Sequence, residues 1–477
     1  MVERLLGTVR SMPTSTLDST GRRVGGPWTT FWLCAVATYI GTLDFSIVNV
    51  AFFEIQEAFD GASRTSISWV VTAYSILYGS LLVVSGRTAD RIGRRKVFGI
   101  GVSLFLIGSI VCAAAPTIAV LIIGRAVQGA GASMFTPSAL GMMIGAFPPE
   151  RRNQMVSWNT AIAALGVASG PTLGALLIGT LDWRAAFWIN IPVCLVVLAM
   201  MRRVDAPAPS ERGVVPDLPA AFFVTLGVGA LVWGIAETET VGLGDVRVWI
   251  AFAVAVALAA VVVHRTRTRP EPLLPPVMFA NRSMNLANTA MIIFGAAFSA
   301  NSLNNVLFLR SEWEFGIVKA GLFSVLSPVT VATTSFLVGR NVQRLGLRNL
   351  LLIGSVLFVA TQVGFLTVIG TTPHPWAQWL PLMLLLGLAI GCVAPALSAS
   401  AVQHAPPAQF ALAGALNSTA RQIGSALGVA LLVAVQATAA GIGGYRAGWT
   451  MLAILAAGSG AVSLMQPRMV TTPERSG

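Results

Sequence analysis

Runs of about twenty apolar residues, separated by short polar breaks, recur along the whole chain. A run of that length, wound as a helix rising about 1.5 Å per residue, matches the roughly 30 Å hydrocarbon layer of a bilayer. Only a helix or a closed barrel satisfies its own backbone there. The runs lie near 28–52, 67–85, 97–115, 119–146, 155–179, 184–201, 219–236, 248–264, 285–309, 319–339, 349–370, 376–402, 411–438 and 446–466, which predicts fourteen crossings. Of 477 residues, 55% are hydrophobic and only 10% charged, against about 25% charged in a soluble domain. A soluble enzyme, a disordered regulator and a disulfide-stapled secreted domain are thereby excluded. Residues 1–27 are polar, carry Arg4, Arg10, Arg22 and Arg23, and show no short apolar core with a cleavage site. They read as a cytoplasmic tail, not a signal peptide.

The formal charge of +12 invites a nucleic-acid reading until its placement is examined. Alternate connections, counted from the N-terminus, hold 23 Lys and Arg residues, whereas the other set holds 6. Basic residues accumulate on the cytoplasmic side of a membrane protein. The split therefore predicts an even number of crossings with both termini in the cytoplasm; a plasma (inner) membrane location and no nucleic-acid partner are expected alongside it. Cys34, Cys112, Cys194 and Cys392 are dispersed in apolar runs, and His264, His374 and His404 are equally scattered. No disulfide framework, metal site or cofactor is expected from them.

The chain also repeats itself. Gly86, Arg87, Arg91, Gly93 and Arg95 recur as Gly339, Arg340, Arg344, Gly346 and Arg348, each 253 positions later (339 − 86). Asn159, Gly166 and Gly170 recur as Asn417, Gly424 and Gly428, each 258 later (417 − 159). Two unrelated segments with nearly one offset point to duplicated halves, a transporter architecture. The expected organisation is a tail (1–27), a six-helix half (28–201), two inserted helices with linkers (202–284), a second six-helix half (285–466) and a tail (467–477).

On these residues the chain resembles the fourteen-helix drug:proton antiporters of the major facilitator superfamily. Span 1 carries Leu43-Asp44, Ile47-Val48-Asn49 and Val50-Ala51, with Phe53 where that family usually has proline. Trp69, Thr72 and Tyr74 fit span 2, and Gly86 through Lys96 fit the loop after it. Arg125, Gln128, Gly129 and Gly131 fit span 4; Gly166, Gly170, Pro171 and Gly174 fit the span 5 motif associated with antiport, with Ala175 where a last glycine is common. Trp183-Arg184, Phe187, Asn190 and Pro192 follow, and Asn417, Arg421, Gln422, Gly424 and Gly428 fit span 13. The resemblance runs from about residue 30 to 465. It implies an all-α major facilitator fold, fourteen helices arranged 6+2+6, and proton-coupled export of amphipathic compounds by alternating access.

Asp44 is the one acidic residue well inside a predicted span. A carboxylate at membrane depth is costly unless paired or neutralised, and desolvation favours its protonated form. That behaviour suits a proton carrier; a purely structural carboxylate is the plainer alternative. Arg125 and Arg421 are intramembrane cations that cannot shed their charge. Arg125 is the expected partner in proton coupling, releasing Asp44 when helices part, whereas Arg421, with Asn417, is read only as intramembrane polar chemistry of the second half. The turn holding Gly86, Asp90, Arg91, Gly93 and Arg94 anchors by charge, or latches one conformational state through Asp90. Gly166, Gly170 and Gly174 share one helix face that allows close approach, and Pro171 bends it, which the resemblance implies is a hinge and seal. Tyr74, Tyr78, Asn301, Asn304 and Asn305 are candidate substrate-path groups. With no second deep carboxylate in spans 9–14, neutral hydrophobic or monocationic compounds fit better than dications.

No nucleotide loop, zinc-protease pair, hydrolase elbow or dinucleotide fingerprint is present in the sequence. The expected protein is thus no enzyme, and an ion gradient would drive it. Its expected partners are protons, a small amphipathic substrate and the bilayer, and it is read as a monomer. A dedicated exporter of one endogenous metabolite or lipid, or an uptake symporter on the same fold, is the alternative.

Overall fold

The computed structural model describes residues 26–59, 64–148, 151–204, 217–242, 244–269, 272, 281–402 and 410–466. Both expected tails up to residue 25 and from 467, much of the linkers around the inserted helices, and the side chains of Asp90 and of 340–344 lie outside the described residues. Among the described residues every regular element is a helix. We number the crossings α1 (Pro27–Ala58), α2 (Arg64–Ile92), α3 (Arg94–Ala113), α4 (Ile118–Ala146) and α5 (Arg152–Thr180). Then come α6 (Ala185–Trp188 and Asn190–Met200), α7 (Leu218–Val241) and α8 (Val246–Thr268). The second half has α9 (Arg282–Ser311), α10 (Ile317–Ser324 and Leu326–Leu345), α11 (Leu347–Val368), α12 (Leu380–Val402), α13 (Phe410–Gln436) and α14 (Ile442–Leu464). Thirteen of these crossings are long and apolar enough to span a membrane, and α5 adds a shorter apolar stretch, Leu165–Thr180. The fourteen-helix reading agrees with this.

Local chemistry sets the boundaries. Thr117, Asp217, Asp245 and Asn281 each accept a backbone N–H of the helix they precede, which satisfies a donor that the helix leaves open. Gly93 (φ 102°) separates α2 from α3, and its repeat copy Gly346 (φ 73°) separates α10 from α11. At that φ a side chain is strained, so the repeated glycine is explained by a tight turn between two helices.

The same pairings occur in both halves: α3 on α4, α2 on α4 and α1 on α5 are matched by α11 on α12, α10 on α12 and α9 on α13. Glycines permit the closest of them. A Cβ on Gly101 would lie 2.8 Å from the carbonyl of Gly131, and one on Gly354 would lie 2.9 Å from that of Ala389. In lipid, where apolar burial does not itself drive helices together, such backbone proximity supplies the packing energy.

The halves meet along α2–α13 and α5–α10. Thr419 donates to the carbonyl of Gly79 (2.8 Å) across the first seam. At the end opposite the Arg87–Lys96 turn, Arg310 of α9 forms an ion pair with Glu54 of α1 (2.6 Å) and lies over Phe53 (4.8 Å). Burial pushes the Glu54 carboxyl above its ordinary range, and Arg310 only partly offsets this. The inserted α7 covers the α2–α13 seam: Ala220 and Ala221 pack with Val83, Val84 and Ala413, and Val232 with Ile76, Ala426 and Ala430. α8 lies on α7, burying Val248, Ala251, Ala255 and Val262 along one face. Asp217, at the start of α7, pairs with Arg265 of α8 (2.6 Å). Burial alone would raise the Asp217 carboxyl, but the bonds from Arg265 and the Ala220 N–H outweigh it and hold the group below its ordinary range.

Candidate functional site

Five helices of the first half place polar side chains around one buried carboxylate. Asp44 of α1 and Arg125 of α4 are both fully buried, with Arg125 Nη1 2.6 Å from Asp44 Oδ2. Asp44 Oδ1 accepts from Gln128 Nε2 (3.1 Å) and Asn190 Nδ2 (2.7 Å). Arg125 also donates to Gln128 Oε1 (2.7 Å) and, through Nε, to the carbonyl of Val70 on α2 (3.0 Å). Ser109 of α3 accepts from Gln128 (2.7 Å), and its hydroxyl donates to the carbonyl of Phe105 (2.8 Å). The Tyr74 ring lies 4.5 Å from the guanidinium, a favourable cation–π placement.

Sequence dictates much of this convergence. Arg125 and Gln128 are three residues apart, hence neighbours on one face of α4. Gly124 and Gly108 bring α3 and α4 close enough for Ser109 to reach Gln128: a Cβ on Gly108 would lie 2.7 Å from the Gln128 backbone nitrogen. Asn190 opens the second segment of α6. Chemically, the site holds one negative and one positive charge in a water-poor bundle. Removing either leaves the other uncompensated, a loss of about 3–5 kcal/mol for a buried pair.

Gly166, Gly170 and Gly174 of α5 face α1 beside this carboxylate. A Cβ on Gly166 would meet Thr42, one on Gly170 would meet Ser46, and one on Gly174 would lie 2.6 Å from Ile47 Cγ1. Pro171 has no N–H to offer the carbonyl of Val167, and Ser46 of α1 donates to that carbonyl instead (3.0 Å). Pro171 and Ala175 also receive Gly321 of α10, so α5 touches both halves.

The other predicted residues distribute as follows. The expected turn is narrower than read from the sequence: Arg87 and Arg91 belong to the last turns of α2, Arg94 opens α3, and only Gly93 lies between. Arg94 donates to the carbonyl of Gly141 (2.8 Å) and Arg87 to that of Pro272 (2.8 Å), while Arg91 is exposed. Gly86 lies in α2, and the Asp90 side chain lies outside the described residues. Tyr74 and Tyr78 stack (5.9 Å between centroids, 9° between planes) with Phe45 tilted against Tyr74, and all three are buried. Arg421 is partly buried on α13, within electrostatic reach of Tyr74. Asn417 donates to Asn288 (3.2 Å). Asn301, Asn304 and Asn305 point into the second half, where they accept from Gln362 (3.1 Å), Gln436 (2.7 Å) and Trp449 (3.1 Å).

Within the repeat register, Gln362 lies 253 residues after Ser109 (362 − 109) and Asn301 lies 257 after Asp44 (301 − 44), one helical turn further on the same face. The second half thus carries an uncharged relative of the first half's network. In the sequence Gln128 and Asn190 stand only as matches to the family motifs, without a role, and Ser109 is unmarked; the spacing of Gln128 three residues after Arg125 was the available signal. The Glu54–Arg310 pair was likewise not singled out as a pair, since its partners are distant in sequence.

The Major Facilitator Superfamily model matches residues 34–429 and again 286–476. The puromycin resistance protein pur8 of Streptomyces alboniger is 32% identical over 405 residues, 84% of this chain and 80% of that protein. The methylenomycin A resistance protein of Streptomyces coelicolor is 30% identical over 399 residues, 83% of each. The tetracenomycin C resistance and export protein of Streptomyces glaucescens is 28% identical over 412 residues, 85% of this chain and 75% of that protein. Among solved structures, the D-xylose–proton symporter superposes with a TM-score of 0.69 at 13% identity, covering 92% of this chain and 98% of that one. A helical bundle with this repeat, matched over most of its length by that family model and by these relatives, places the chain in the major facilitator superfamily, as a multi-pass membrane transporter.

Proposed function

We propose that this transporter exports hydrophobic or monocationic amphipathic compounds from the cell in exchange for protons. The observation that carries the reading is the fully buried Asp44–Arg125 pair in the first half. A carboxylate that is paired when ionised and tolerable in lipid when protonated is a proton carrier of the kind a gradient-driven exchanger needs. Protonation from outside would weaken the hold of Asp44 on Arg125, and loss of the proton inside would restore the ion pair. The glycine face of α5, pressed on α1 beside Asp44 and on α10 across the halves, gives that local change a path to the interface. The resistance and export proteins named above support drug-like cargo and outward direction. The excess of basic residues on one side supports cytoplasmic termini in a plasma membrane. The turn after α2 is read as the cytoplasmic latch, Arg421 and Asn417 as polar groups of the second half, and Tyr74 and Tyr78 as aromatic walls of the path, in a monomer.

The test is proton movement in everted vesicles or proteoliposomes. With an imposed pH gradient and lipophilic cations or neutral antibiotics added singly, wild type collapses the gradient on substrate addition and Asp44→Asn does not. Collapse that persists in Asp44→Asn would place coupling elsewhere. Accumulation driven with the proton, rather than against it, would make the chain an uptake symporter.

A further inference from the structure

The hydrogen bonds around Asp44 suit only its ionised form. Its oxygens receive three donors, from Arg125, Gln128 and Asn190. A carboxylic acid in the same place has an O–H to donate, and a buried O–H without an acceptor is strongly disfavoured. Any residue bonded to Asp44 that can receive that proton therefore decides whether the acid form can exist.

Arg125 has no acceptor atom. Gln128 is held at both ends: its Oε1 accepts from Arg125 (2.7 Å), and its Nε2 donates to Asp44 and to Ser109 (2.7 Å). Asn190 differs. Its Nδ2 donates to Asp44 (2.7 Å) and, at a longer 3.3 Å, to Ser109. Its Oδ1 is fully buried and has no hydrogen-bond partner. A half-turn of the amide exchanges the two atoms: it gives up the long Ser109 contact, which Gln128 still serves, and moves the unpartnered position from Oδ1 to Nδ2.

We propose that Asn190 is the switch that lets Asp44 exist in both protonation states: its amide donates to the carboxylate and, turned over, accepts from the carboxylic acid. The inference rests on the reading that Asp44 takes up the transported proton. In the step, a proton binds Asp44 Oδ1, the amide turns, and the new O–H donates to Asn190 Oδ1. Asp44 Oδ2 remains the acceptor of Arg125, whose hold weakens once the charge is gone. Asn190 is thus a positioning residue for proton transfer, and no covalent bond to it forms or breaks. The titratable and charged groups around Asp44 are Arg125 on α4, Tyr74 on α2, Cys112 on α3 and Cys194 on α6, with Tyr78 and Arg421 beyond Tyr74. In acid only the two arginines among these carry charge.

The test is an infrared pH titration of the purified full-length protein without substrate. Asp44→Asn identifies the band: if no carboxylic-acid C=O stretch disappears in that variant, the proton-carrier reading fails and this inference with it. Given the band, the wild type should show it at the lowered frequency of an acid that donates a hydrogen bond. Asn190→Leu, of similar shape, should move the band to the free-acid frequency, because the acid loses its acceptor, while the midpoint carries the opposing loss of a donor to the carboxylate. The band discriminates. A residue that only donates to the carboxylate would, on removal, raise the midpoint and leave the band in place, and a merely structural residue would move neither; both results overturn the proposal. Should Asn190→Leu not fold, the wild type remains decisive, because a free-acid band there also overturns it.

Discussion

Asp44 and Arg125 each carry a charge that the bundle tolerates only because of the other. Arg125→Leu should lower thermal stability in detergent strongly, by about 3–5 kcal/mol, because it strands a buried carboxylate. Arg125→Leu combined with Asp44→Asn should recover most of that loss. A double variant no more stable than Arg125→Leu alone would mean that the arginine's bond to Val70 and its contact with Tyr74, not the ion pair, carry the energy. Both residues were legible in the sequence because charges within apolar runs are rare. The roles of Gln128, Ser109 and Asn190 were not, although Gln128 and Asn190 match the family motifs, because neutral polar residues are common in such runs and most of their partners lie on other helices.

At the scale of elements, α1 and α5 act as one unit. The glycine face of α5 could be read from the spacing of Gly166, Gly170 and Gly174, but not the surface it meets. That surface is Thr42, Ser46 and Ile47 of α1. Ser46 also repairs what Pro171 breaks, by donating to the carbonyl of Val167. Ser46→Ala should therefore cost about 1–3 kcal/mol by leaving that carbonyl unsatisfied. In a Pro171→Ala background the new backbone N–H reaches Val167 itself, so Ser46→Ala should cost little there. Thermal unfolding of the four proteins measures the coupling, and equal costs in both backgrounds would refute it.

Across the whole molecule, the two halves touch at one end through Glu54 and Arg310, and α7 closes the α2–α13 seam. Burial raises the Glu54 carboxyl in this closed arrangement, whereas opening would return it to water. Protonation is thus favoured more in the closed arrangement than in the open one, and a fall in pH favours closure. In the proposed topology this end faces outward. Arg310→Gln should increase labelling of Ala51→Cys by an external, impermeant maleimide several-fold at alkaline pH, with less increase in acid, where Glu54 can be buried neutral. Labelling that rises in acid would reverse the sign of the argument. The four native cysteines, three buried and one partly so, keep the background low.

The fourteen crossings, the side on which charge collects, the internal repeat and the two deep charges of the first half follow from the sequence by itself. Each rests on a periodicity or on a cost that lipid imposes on single residues, and both are local properties. Which helix receives the α5 glycines, how three neutral side chains complete the shell of Asp44, that Asn301 pairs with Gln362 instead of with a charge, and that Glu54 meets Arg310 were decided only by the tertiary structure. Those contacts join residues up to 256 positions apart, and packing geometry, not composition, selects among their many possible partners.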